Sequence, residues 1–201
     1  MQLEAPTPKT LPAKLAWKTI PLTHWNGETA AHLLRRIGYS ATPGRIQKSL
    51  RKPIQETLKN AFHKTRPLEK TTPLAEFEAN FIDRTRSIYR QKDRNIRQTE
   101  ARDLRREGDQ LFRQYANKWL KFARQEENSP QEKFVSFLQD IFVIEQRVIR
   151  EPQNLFNYQQ TLREGIQLNY PDLCKRVSQE PGMVRYLNLN ESTKEKPNEN
   201  F

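Results

Sequence analysis

The chain has 201 residues, the size of one ordinary domain, with 35% hydrophobic residues (Gly not counted), a mean hydropathy of −0.95 and a net charge of +11. Ten Phe, six Tyr and three Trp supply core-forming mass that weighs against wholesale disorder. No stretch approaches the ~20 consecutive apolar residues of a membrane span.

A single cysteine, Cys174, cannot form an internal disulfide and has no metal-binding companion nearby, so it is expected as a small buried apolar residue. Met1 to Ile20 carries Lys and Pro but no continuous apolar run. It is not a secretory signal, and on that ground the expected location is the cytoplasm.

Residues 1–25 read as an extended N-terminal arm, because Pro6, Pro8, Pro12 and Pro21 forbid a continuous helix. Trp17 and Trp25 are expected to pin it to the body. Residues 26–201 are expected to form one helical domain. A first helix is predicted at 27–37, with Asn26 as N-cap, an apolar stripe of Ala30, Ala31, Leu33, Leu34 and Ile37, and Gly38 at C′. Thr42-Pro43 opens a second helix on Ile46 and Leu50, and Pro53 restarts a third through Ile54, Leu58 and Phe62. A polar linker follows at 63–71.

Thr72-Pro73 repeats the cap-plus-proline signal and opens a long charged helical segment over 72–126. Its apolar stripe thins between Gln91 and Glu107, which predicts a helix that leaves the core or a hairpin of two helices. Two helices joined near Gly108 are preferred, since Gly is the weakest non-proline helix former. Ser129-Pro130-Gln131-Glu132 reads as a capping box, opening a helix with a wide stripe of Phe134, Phe137, Leu138, Ile141, Phe142 and Val148. Pro152 ends it, and helices are expected at 154–167, from Pro171, and from Pro181. No segment alternates with period two for long enough to be a strand, so the class is all-α, an irregular multi-helix domain.

A pI near 9.9 raises nucleic acid as a partner. Between Asp83 and Asp109, however, nine arginines and lysines are interleaved with six acids, the signature of a solvated helix laced by ion pairs. There is no Gly-rich phosphate loop, no His/Cys metal spacing and no nucleophile elbow, so no cofactor or metal is expected.

Two blocks resemble a bacterial family, the domain-of-unknown-function family numbered 1800. The first is Leu15-Ala16-Trp17-Lys18 followed by Trp25 through Pro43, with Ala31-His32-Leu33-Leu34-Arg35-Arg36 leading into an aromatic turn and Ala41-Thr42-Pro43. The second runs from Trp119 through Pro130, Glu132 and Lys133 to the Asn-rich stretch 188–201. The resemblance implies a His-containing motif, Phe-Trp-His-Asn-His-Phe, where this chain reads Phe137-Leu138-Gln139-Asp140-Ile141-Phe142. Gln139 and Ile141 can replace imidazole neither as a proton carrier nor as a metal ligand. The resemblance also implies continuation beyond Pro197-Asn198-Glu199-Asn200-Phe201, so the expectation is a truncated N-terminal portion, and export of full-length relatives keeps a second compartment open.

The densest polar constellation is Asn190, Lys194, Asn198, Glu199 and Asn200. It is read as a ligand-binding candidate against the plainer alternative of a polar loop. Arg35 and Arg36 are set to grip an anion or pair with a carboxylate. His32 is read as a satisfied structural histidine ahead of a base, and Arg163 and the Tyr158 region as helix packing and surface pairing ahead of ligand contacts. Three functions stay in play: a truncated non-catalytic family member; a basic binding module for an acidic polymer, nucleic acid or sulfated glycan; and part of a split enzyme with a site near Asn198–Asn200. The partners expected are a separately encoded C-terminal portion, or another protein covering the exposed end.

Overall fold

The computed structural model describes Lys18, residues 21–63 and residues 65–198. Most of the expected arm, with Trp17, lies outside the described residues. The chain is all-α: among the described residues there are ten α-helices and no strand. They are α1 (Gly27–Ile37), α2 (Pro43–Leu50), α3 (Ile54–Phe62), α4 (Thr72–Arg90), α5 (Arg94–Ala123), α6 (Ser129–Ile141), α7 (Gln146–Ile149), α8 (Pro152–Gly165), α9 (Tyr170–Gln179) and α10 (Pro181–Tyr186).

Local chemistry explains most of these boundaries. Asn26 Oδ1 accepts from the Glu28 and Thr29 amides at 3.0 and 3.2 Å, and the Asn26 amide donates back to Thr29 Oγ1, so α1 opens on a reciprocal cap. Thr42 caps α2 with Pro43 at the first position. Trp25 is half-buried and its Nε1 donates to the Lys52 carbonyl at 3.1 Å, tying it to the α2–α3 corner.

Gly38 ends α1, but its φ of −141° is ordinary extended backbone. What requires glycine there is proximity: a Cβ would sit 2.8 Å from Ser129 Oγ and 3.2 Å from the Leu34 carbonyl oxygen. The end of α1 is held on α6, where Lys133 Nζ donates to the Arg35 and Gly38 carbonyls and Ser129 Oγ accepts from the Tyr39 amide. An ammonium on the last carbonyls of a helix complements its dipole.

The long charged segment is two helices, and they join at 91–93 rather than near Gly108. Asp93 Oδ1 accepts from the Asn95 and Ile96 amides and starts α5, a stronger local signal than a lone glycine. Gly108 lies buried inside α5, next to Pro152 and the Arg150 carbonyl. α4 and α5 pack against each other as a hairpin, tied by a bidentate Arg84–Glu107 pair at 3.1 and 2.6 Å.

Two apolar clusters flank α8. One gathers Val135, Leu138, Tyr158, Leu162, Leu173, Val177 and Met183 from α6, α8, α9 and α10. The other gathers Leu68, Leu74, Phe77, Leu111, Tyr115 and Phe156 from the hairpin, α8 and the 63–71 linker. The linker, read as polar, thus contributes one anchor: Leu68 is buried. α8 itself is rich in Gln and Asn yet is the most enclosed helix, because each of its faces meets a different neighbour.

Candidate functional site

Between the two clusters sits a buried polar network. Arg163 on α8 is fully buried and grips fully buried Glu132 on α6 with two hydrogen bonds, Nε to Oε1 at 2.7 Å and Nη2 to Oε2 at 2.9 Å. The remaining acceptor and donor capacity is filled from three elements. Trp119 Nε1 on α5 donates to Glu132 Oε2 at 2.6 Å, and Gln131 Nε2 donates to Oε1 at 2.9 Å. Arg163 Nη2 also reaches Gln159 Oε1 at 2.8 Å, which accepts from the Tyr115 hydroxyl as well. Gln131 then exchanges hydrogen bonds with both backbone groups of Arg66.

Burial pushes the Tyr115 hydroxyl up to about 12, outweighing the nearby Arg163 guanidinium, which acts in the opposite direction. A charge pair this enclosed locks α5, α6, α8 and the linker into one register. Both carboxylate oxygens of Glu132 accept two hydrogen bonds each from protein groups, which leaves no open position on it for a ligand.

The capping box read at Ser129–Glu132 does not form. The cap position falls on Asn128, Ser129 Oγ serves Tyr39, and Glu132 turns inward to Arg163. Local spacing cannot tell a glutamate that caps its own helix from one that meets an arginine 31 residues away. Arg163, read as helix packing and surface pairing, does pack and pair, but in the interior rather than at the surface.

Among the described residues, a groove of about 580 Å³ runs along the α4–α5 hairpin, closed at one end by the α7–α8 corner and Arg185 of α10. Phe77, Phe81 and Ile88 of α4 and Ala101 and Leu104 of α5 make an apolar floor. Arg97, Arg102, Arg105, Arg150 and Arg185 surround it, against one acid, Glu151. Arg97, Arg102 and Arg105 have no ion-pair partner among the described residues, whereas Arg84, Arg86 and Arg106 pair with Glu107, Asp83 and Asp103. Of the groove arginines, Arg185 pairs with Glu151, while Arg97, Arg102 and Arg105 face the groove without a carboxylate partner among the described residues.

Three further features mark the groove. Tyr89 lines it and is 76% exposed. Two buried polar atoms of lining residues, Thr85 Oγ1 and Glu151 Oε2, lack hydrogen-bond partners, although Glu151 Oε1 pairs with Arg185. Arg150, at the α7–α8 corner, has φ 60° and ψ −30°, a conformation that costs a side-chain-bearing residue about 1–3 kcal/mol.

Arg35 and Arg36 are exposed on α1, which packs on α2 and α6. Asn190 and Lys194 are exposed in the turn that follows α10, where a 3-10 turn covers Leu189–Glu191. Asn198 is half-buried, its amide donating to Ser192 Oγ at 3.0 Å and its Nδ2 to the Leu187 carbonyl at 2.5 Å. Glu199 and Asn200 lie outside the described residues. The two arginines and the Asn-rich turn thus rest on different supports. His32 is exposed, Gln139 half-buried and Ile141 46% exposed. Cys174 is half-buried beside Tyr170. Among the described residues no group of three His, Cys, Asp or Glu side chains is placed to hold a metal ion, and no helix is long and apolar enough to cross a membrane.

A family model described as a protein of unknown function (DUF1800) matches residues 32–201. The chain belongs to the DUF1800 family. The match starts at His32 inside α1, so it takes in the Arg35-Arg36 helix, Ala41-Thr42-Pro43, the Glu132-Lys133 pair and the Asn-rich end, while Leu15 to Ala31 precede it. No curated protein and no solved structure matches the chain. The DUF1800 assignment carries no activity with it, and the groove residues were not legible as a set. Arg97, Arg102 and Arg105 share a helical face at spacings of five and three. That signal alone does not distinguish a groove wall from a solvated stripe.

Proposed function

We propose that this DUF1800 protein is a non-catalytic binding module that holds an acidic macromolecule along the α4–α5 groove. The observation that carries this reading is the unbalanced charge there: five arginines on the rim against one glutamate, with Arg97, Arg102 and Arg105 unpaired. Guanidinium groups held beside low-dielectric walls attract anions more strongly than dispersed surface charge does. The non-catalytic half rests on Gln139 and Ile141 standing where the family resemblance places imidazoles.

Retention of the purified chain on immobilised heparin and on a single-stranded oligonucleotide, followed across a salt series, tests the reading. Binding is expected to fall steeply with salt, and to weaken by about tenfold or more in Arg97→Glu/Arg105→Glu. Retention that ignores salt, or that survives the charge reversals, removes the groove from the account. Turnover of a phosphate or sulfate ester that disappears in Glu199→Ala overturns the non-catalytic half.

A further inference from the structure

Resting on the groove as the binding surface, we infer that its occupant is an acidic amphipathic helix of a partner protein, laid between α4 and α5 as a third helix. The hairpin presents the arrangement that a missing third helix fills. On α4, Phe77, Phe81 and Ile88 fall at intervals of four and seven; on α5, Ala101, Leu104 and Gly108 fall at three and four. Those are the spacings of helix faces that pack on helices. Both stripes belong to a hairpin whose helices already pack on each other, and they leave an open trough between them.

The dimensions agree. From Arg97 to Gly108 the trough follows α5 for about 16 Å, three helical turns, which accepts anchors at i, i+4 and i+7 of an incoming helix. Ala101 is small and only half-buried, so a helix can approach closely there, while Gly108 is already covered by Pro152 and marks the closed end of the trough.

The rim chooses the sign. An apolar floor edged by Arg97, Arg102, Arg105 and Arg150 fits a helix with Leu-type residues on one face and Glu or Asp on its flanks. Nucleic acid and sulfated glycan match the rim but leave the aliphatic floor of Ile88, Ala101 and Leu104 uncovered, since neither carries aliphatic side chains. Tyr89, already exposed at the edge, supplies the aromatic anchor that such interfaces favour.

The test uses the full chain and fluorescence anisotropy with three labelled peptides of about 18 residues, long enough to hold a helix. The first has Leu at i, i+4, i+7 and i+11 with Glu on the flanks. The second replaces each Glu by Lys, and the third scrambles the first. A poly-dT oligonucleotide and heparin compete in parallel. The inference expects the first peptide to bind at least about tenfold more tightly than either control. It also expects that binding to be lost in Ala101→Trp, which fills the floor, and in Arg102→Glu/Arg105→Glu, which lies on the exposed rim and leaves packing intact. Circular dichroism of both variants confirms that they fold.

If the acidic peptides bind no better when amphipathic than when scrambled, the inference is overturned. If oligonucleotide or heparin binds and Ala101→Trp leaves that binding intact, the groove holds a polyanion by its rim alone. The binding module then stands and the helix does not. If none of these probes binds in a groove-dependent way, both readings fail.

Discussion

At the scale of single residues, the informative side chains are those that depart from what their neighbours in sequence suggest. Glu132 has the spacing of a capping residue and is instead the buried partner of Arg163. A charge pair of this kind is costly to break from one side, because the survivor is left uncompensated in a low-dielectric interior. Arg163→Met is therefore expected to lower stability by about 3–5 kcal/mol. Glu132→Gln/Arg163→Met is expected to lower it by clearly less than the sum of the single changes, read from urea unfolding midpoints. Simple additivity would mean that the two groups do not act as a pair.

The glycines separate in the same way. At Gly38 an added Cβ meets Ser129 Oγ at 2.8 Å, and Gly38→Ala is expected to cost about 1–3 kcal/mol through overpacking of the α1–α6 junction. At Gly108, in the middle of α5, the nearest atom lies at 3.4 Å, an ordinary contact. Gly108→Ala is expected to stabilise by about 0.5–1 kcal/mol, the difference in helix propensity. Thermal unfolding of the two variants checks both signs at once.

At the scale of elements, the hairpin and the α7–α8 corner decide the groove. The corner is built with Arg150 at positive φ, where a glycine sits without steric penalty. Arg150→Gly is expected to raise stability by up to about 1 kcal/mol while weakening anion retention, because the substitution relieves the backbone and removes a rim charge. A variant that loses both stability and retention would show that the Arg150 side chain supports the corner itself. Helix existence was largely readable in sequence: Asn26, Thr42 and Pro43 and the proline starts at 53, 73, 130, 171 and 181 fall at or within two residues of helix openings, whereas Pro152, expected to end the helix from Ser129, opens α8, and the Ser129 helix stops at Ile141. Such signals act within one turn, on the orphan amides of a helix start, so no distant residue is needed to read them. The hairpin joint lies fifteen residues before Gly108, because burial against Pro152 offsets the low helix propensity of that glycine while the Asp93 side chain caps the start of α5.

At the scale of the whole molecule, each apolar cluster buries a tyrosine whose ionisation opposes the fold. Burial raises the Tyr115 hydroxyl to about 12 and raises Tyr158 as well, against an ordinary value of 10.0. A tyrosine raised in the fold favours its neutral form there. Its contribution is therefore intact below pH 10 and is lost as pH climbs from about 10 towards about 12. Unfolding midpoints are expected to fall between about pH 9 and about pH 11. The fall should be smaller in Tyr115→Phe, whose ring keeps the packing but has no proton to lose. An equal fall in both proteins would assign the alkaline loss to other groups, Tyr158 first.

The sequence by itself determined the helical class, most helix starts and the family, because capping chemistry, proline geometry and short motifs are local. Only the tertiary structure decided that Glu132 and Arg163 meet, that the Gln-rich α8 is the centre of the fold, and that three arginines of a mixed-charge helix face an open groove. Each of those facts depends on which surfaces lie opposite one another, and a charged or amide side chain has the same spacing along the chain whether water or a buried partner satisfies it.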